Sequence, residues 1–175
     1  EPSTEVRSAE VRGIPILTQV LRPRLRSGLS FSPGPFHTLS RGPAGTSMTS
    51  PFDHASRRER LRQRLGALGV GLFLVTRPVN VRYLTGFSGD STALLCLPGQ
   101  DLLVSDGRYS EQLARECPDL EVFIRPPSVT LPMALGEVLR STGARTVGFE
   151  SGHVSVADLG PWQGIVKDAE WRPCP

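Results

Sequence analysis

A chain of 175 residues that is 38% hydrophobic fits one globular domain plus additional sequence. Its longest apolar stretch, around Val70–Val75, is far short of the roughly 18 to 20 residues a membrane-spanning helix needs, so no membrane partner is expected. The formal net charge of +3 sits unevenly: Glu1–Ser47 holds six arginines against three glutamates, whereas the remainder carries fourteen bases and fourteen acids. The basic excess therefore belongs to a leading segment, and no nucleic-acid partner is expected.

Glu1–Ser47 is interrupted by Pro2, Pro15, Pro23, Pro33, Pro35 and Pro43 and has no sustained periodicity, so 1–47 is expected to be a disordered basic segment. From Val11 to Ser47 it has no acid, a composition like that of a transit peptide. Met48 stands just before the patterned part of the chain and is expected to be the natural start.

Asp53 or Ser56 is a candidate N-cap for a helix over Arg57–Leu68, whose Leu61, Leu65 and Leu68 share one face. Arg57, Arg58, Arg60, Arg62 and Arg64 cover the rest, and a solvated helix face explains them better than a nucleic-acid helix. Gly71–Thr76 is a continuous apolar run of strand length, as in strands buried on both faces. A turn-rich segment, Arg77–Asp90, follows. Pro98-Gly99 then joins Ala93–Leu97 to Asp101–Ser105 as an antiparallel hairpin, with proline presetting φ and glycine accepting positive φ. Asp106 is a cap for a helix over Arg108–Glu116. Leu120–Ile124 reads as a strand, Met133–Ser141 as a helix ended by Gly143, Thr146–Phe149 as a strand, and Ser155–Trp162 as the start of a further helix. Strands alternating with helices, plus one hairpin, predict an α/β three-layer sandwich with a mixed sheet flanked by helices. Ile165–Pro175 shows no cap and no completed element.

Tests for chemistry mostly fail. Gly69-Val70-Gly71 precedes its strand instead of following one, so it is not a dinucleotide fingerprint, and the single Lys167 excludes a phosphate loop. Gly86-Phe87-Ser88-Gly89 misses the second glycine of a nucleophile elbow by one position; Ser88 with His153 as base is a remote alternative to simple turn geometry. His37, His54 and His153 do not fall at ligand spacing, and Asp106, Glu111, Glu116 and Glu150 each fit a cap, a solvated face or a strand end. Cys96, Cys117 and Cys174 are odd in number and too widely spaced for a C-x-x-C pair, which favours a reducing, cytoplasmic compartment over disulfides or zinc. Catalytic and metal-ligating residues are therefore both expected to be absent.

The series RRERLRQRLGALGVGLFLVT, NVRYLTGFSG, the hairpin and SDGRYSEQLARE resembles the N-terminal domain of the Xaa-Pro aminopeptidase, prolidase and creatinase family of two-domain metallohydrolases. The resemblance spans about Asp53 to Trp162. It implies a creatinase/prolidase-type N-terminal domain over 53–162, with 163–175 beginning a linker to a catalytic domain missing from this chain. It also implies an accessory role, supporting oligomer contacts such as a dimer and walling the active-site cleft of an Xaa-Pro aminopeptidase or proline dipeptidase. The partners implied are that catalytic domain, a second copy of the chain and proline-containing peptides. A divalent metal pair (Mn, Co or Zn) would sit in the catalytic domain, and this chain alone would be a truncated, inactive product. Asn80, Arg82, Tyr83 and Phe87 are the cleft or interface candidates, with Phe87 offering an apolar wall and Arg82 pairing with a peptide carboxylate. The competing readings are structural: Tyr83 and Phe87 as core or interface packing, Asn80 as a turn cap and Arg82 as a solvated side chain. Asp106, Gly107, Arg108 and Tyr109 form a structural motif tying a helix start to the hairpin. The alternative function is a stand-alone, non-catalytic binding or assembly module derived from the same domain.

Overall fold

The computed structural model describes residues 53–175, so the expectations for the basic segment 1–47 and for a start at Met48 lie outside the described residues. Six strands form one mixed sheet in the order β4-β3-β2-β1-β5-β6. These are β1 (Leu72–Val75), β2 (Ala93–Leu97), β3 (Gln100–Asp106), β4 (Glu121–Arg125), β5 (Thr146–Glu150) and β6 (Glu170–Cys174). β2 runs antiparallel to both neighbours, and the other pairings are parallel. The hairpin forms as expected, with Leu97 opposite Gln100 and Gly99 at φ +77° in the two-residue turn.

Helix α1 (His54–Ala67) starts three residues earlier than the apolar pattern indicates, because the Asp53 carboxylate accepts the Ser56 N–H at 2.9 Å. It also stops sooner: Leu68 is the C-cap and 60% exposed instead of completing the apolar face. Part of the segment expected to be turns is helix α2 (Pro78–Thr85). Pro78 occupies its first turn, where the missing N–H costs nothing, and Gly86 at φ +84° ends it. A turn Gly107–Tyr109 then leads into α3 (Ser110–Glu116), followed by α4 (Leu131–Thr142) and α5 (Val156–Ile165). Ile165–Pro175, in which the sequence shows no completed element, contains β6; its partner strand β5 lies in the interior of the sheet, so this pairing is dictated from a distance.

Alternate residues of the strands face opposite layers. Phe73, Val75, Leu94, Cys96 and Leu103 pack with Leu65, Val81, Leu84, Phe87 and Leu113 from the layer built by α1, α2 and α3. Leu74, Leu95, Leu102 and Val104 are buried on the other side, where α4 lies along β3 and α5 along α4. The expected three-layer α/β sandwich is thus present, with β2 and β1 at the centre of its sheet. No described helix is long and apolar enough to cross a membrane.

One arginine departs from the solvated face read along α1. Arg58 is 4% exposed and donates to Asp101 at 2.8 Å, to Asp119 at 2.7 Å and to the Leu84 carbonyl at 3.0 Å. Arg62 meets the same Asp101 carboxylate at 2.8 Å. Taking a guanidinium out of water costs several kcal/mol unless every donor direction is answered. Arg58→Ala strands a buried Asp101 with only Arg62, so a loss of about 3 kcal/mol in urea unfolding is expected; Arg60→Ala, on the exposed face, should stay within about 0.5 kcal/mol.

Candidate functional site

The surface that carries three of the four candidate residues is helix α2, which is held at both ends by side chains from elsewhere in the chain. At its N-terminus the Glu150 carboxylate, at the end of β5, accepts the backbone N–H of Thr76 at 2.7 Å and of Arg77 at 2.8 Å. Its other oxygen accepts the Asn80 side-chain amide at 2.6 Å. A carboxylate there answers orphan N–H groups and the positive end of the helix dipole together. Asn80 is therefore a positioning residue for this staple.

At the other end, the Tyr83 carbonyl accepts from Arg57 at 2.8 Å and lies 3.1 Å from His54 Nδ1, while Arg58 takes the Leu84 carbonyl. Cationic side chains thus meet the negative end of the helix. The Arg57 guanidinium also lies 4.1 Å from the centre of the Tyr83 ring, a cation–π contact that fixes the ring on the surface. Tyr83 is 54% exposed and Val79 59% exposed, so α2 presents an apolar ridge to solvent.

Two concavities flank that ridge. One, of about 400 Å3, has Leu61, Phe73, Val75 and Leu84 in its wall, with Asn80, Tyr83, Glu150 and His153 around it. The other, about 580 Å3, lies between His54, Arg57, Val79, Arg82, Tyr83 and Glu116. Asn80 and Arg82 consequently address different concavities, and only Tyr83 borders both. Phe87 borders neither: it is 1% exposed, in the core, with Tyr109 edge-on at 5.5 Å. The apolar-wall role expected for Phe87 does not fit this burial. Ser88 is bound to the Glu116 carboxylate through its N–H (2.9 Å) and hydroxyl (3.1 Å), whereas His153 belongs to the cavity over β1. No serine–histidine pair forms.

Among the described residues no group of three or more His, Cys, Asp or Glu side chains is placed to hold a metal ion. Two of the candidate carboxylates are committed elsewhere, Glu150 to α2 and Glu116 to Ser88 and Gln112, so the donor set does not fit a metal pair.

Residues 57–175 match the sequence model of the Creatinase/Prolidase N-terminal domain. The chain belongs to this family. The N-terminal domain of the cytoplasmic peptidase PepQ from Mycobacterium tuberculosis H37Rv is 35% identical, with a TM-score of 0.62 over 68% of this chain and 92% of that one. An uncharacterized peptidase, YqhT of Bacillus subtilis (strain 168), is 29% identical over 115 residues, which are 66% of this chain but 32% of the relative. The Xaa-Pro dipeptidase from Bacillus anthracis, at 21% identity and a TM-score of 0.63, shares the fold over 70% of this chain and 34% of its own length. The chain therefore spans about a third of the curated relative it matches.

Within this creatinase/prolidase N-terminal domain, the Asp106–Tyr109 motif is a junction. Asp106, 5% exposed at the end of β3, accepts from the Arg108 N–H at 3.0 Å and pairs with the guanidiniums of Arg108 (2.8 Å) and Arg125 (3.0 Å). Tyr109 donates its hydroxyl to Asp90 at 2.5 Å. Gly107 begins the turn between strand and helix. Hydrogen bonds from Arg108, reinforced by the charge of Arg125, outweigh burial and hold the Asp106 carboxyl down at about 2. Because the folded value lies below the unfolded one, this stabilisation is complete above about pH 4 and is lost as the pH falls toward 2. In pH-dependent urea unfolding, Asp106→Asn should lower stability at neutral pH and flatten the acid limb between about pH 4 and 2.

Arg58 and Glu150 are invisible to local pattern because their partners lie tens of residues away, up to 74 for Glu150 and Thr76. A stability comparison isolates the staple: Glu150→Ala should cost about 1–3 kcal/mol in urea unfolding, by removing three hydrogen bonds to a charged acceptor at the start of α2. The exposed Arg82→Ala should change stability by less than about 0.5 kcal/mol.

Proposed function

We propose that this chain is the N-terminal accessory domain of an Xaa-Pro aminopeptidase or proline dipeptidase, supporting oligomer contacts and walling the cleft of a separate catalytic domain. The carrying observation is one of extent: the chain fills 92% of an isolated N-terminal domain of a peptidase at 35% identity, but only about a third of the Xaa-Pro dipeptidase from Bacillus anthracis. Bond cleavage would fall to the catalytic domain, whose divalent metal pair (Mn, Co or Zn) would supply the metal chemistry, and not to the residues of this chain. This domain contributes binding surface. Tyr83 and Val79 supply the exposed apolar ridge, and Arg82 supplies a cation beside it for a peptide carboxylate. The buried Cys96 and Cys117 thiols, Cys117 raised to about 11 by burial, suit a reducing cytoplasmic setting.

The second reading is a stand-alone binding or assembly module that uses the same α2 ridge, which is favoured by the exposure of Val79 and Tyr83. Reading the source DNA in frame beyond the Pro175 codon separates the two. A following domain with two Asp, one His and two Glu ligands supports the accessory role, and an immediate confirmed stop overturns it. In the two-domain enzyme, Arg82→Ala should raise KM for Xaa-Pro substrates several-fold with little change in kcat; an unchanged KM removes Arg82 from the cleft.

A further inference from the structure

The cavity over β1 has chemistry that the accessory role does not use. Its floor is apolar: Phe73 and Val75 occupy alternate positions of β1 and so face the same side, and Leu61 closes over them from α1. Its rim is cationic. Arg60 and Arg64 are one helical turn apart on α1, and Arg77 follows β1 on the opposite bank. All three are exposed, and none forms a salt bridge among the described residues; Arg60 acts only at longer range on Asp53. Two like charges at i,i+4 repel by a few tenths of a kcal/mol, so α1 carries a small standing cost that an anion would remove.

The one carboxylate side chain in the lining, Glu150, accepts the Thr76 and Arg77 backbone N–H groups and the Asn80 amide and forms no salt bridge with the three guanidiniums; Pro175 also borders the cavity. Among side chains, the lining thus carries three guanidiniums against one committed carboxylate. The cavity also lies beyond the carboxyl ends of the parallel strands β1 and β5, the end of an open α/β sheet where ligands bind. At about 400 Å3 it falls within the roughly 300–1,000 Å3 of small-molecule sites.

We propose that this cavity binds a small organic anion, its charged head held by Arg60, Arg64 and Arg77 and its apolar body laid on Leu61, Phe73 and Val75. Guanidinium forks suit carboxylate and phosphate heads alike, so both are tested. Arg82 lies in the other concavity, and this site stands apart from the cleft-facing surface proposed above.

The test is calorimetric titration of the full chain with hippurate, with phenyl phosphate and with the neutral isostere hippuramide. Saturable one-to-one binding of hippurate or phenyl phosphate, and none of hippuramide, is expected. Arg64→Ala and Arg77→Ala should each weaken the bound anion about tenfold, the usual worth of a charge-assisted contact, with Arg115→Ala as an exposed control that leaves it unchanged. Thermal melts of each variant establish that it is folded. Equal binding of hippuramide, unchanged affinity in both arginine variants, or no saturable binding of either anion overturns the proposal.

Discussion

The buried guanidinium of Arg58 is the constraint on which one whole layer of this domain depends. A cation at 4% exposure is tolerated only when acceptors converge on it, and here they come from three directions: the start of β3, the end of α2 and the segment after α3. One side chain thereby fixes α1 against the hairpin and sets where α2 must end. Apolar packing alone would hold these elements together, but it is non-directional and permits sliding. The ion pairs supply direction.

The position of α2 follows from that anchoring and from a second carboxylate at its other end. Arg57 and Arg58 take the carbonyls at its C-terminus, while Glu150 takes the N–H groups at its N-terminus and binds Asn80 on the first turn. An eight-residue helix is too short to be stable by propensity, so its existence rests on these end contacts and on burying Val81 and Leu84. The outcome for function is a rigid ridge, with Tyr83 clamped under Arg57 and two concavities of different character on either side. One presents Arg82 next to exposed apolar surface. The other sets three guanidiniums, none in a salt bridge among the described residues, over an apolar floor. A domain whose relatives include parts of larger peptidases thus has two concavities, one on either side of one short helix.

Much of the architecture was legible in the residues, for identifiable reasons. Pro98-Gly99 between two apolar runs has few conformations open to it, and the hairpin follows with Gly99 at positive φ. The continuous apolar runs at Leu72–Val75 and Ala93–Leu97 are buried along their length because helices cover both faces of the sheet. Where the reading fails, tertiary contact overrides a local signal. Arg77–Asp90 is rich in turn formers, yet a distant carboxylate turns its first half into α2. Leu68 keeps the apolar period of α1 but falls after the helix has ended and faces solvent. Phe87 sits in a glycine-rich loop and looks exposed, but Thr85 and Tyr109 draw it into the core.

The chain by itself determined the α/β class, the hairpin, the cap at Asp106 and the family, since each rests on residues close in sequence or on a motif whose spacing is preserved. Only the tertiary structure decided which arginines of α1 are structural and which are free. Arg58 and Arg62 point to Asp101, whereas Arg60 and Arg64, two positions on, face an open cavity. Helical periodicity places these pairs on different faces but says nothing of what each face meets. That is settled by chain crossings of up to 74 residues, between Glu150 and Thr76, and 61, between Arg58 and Asp119, and such pairings leave no local trace.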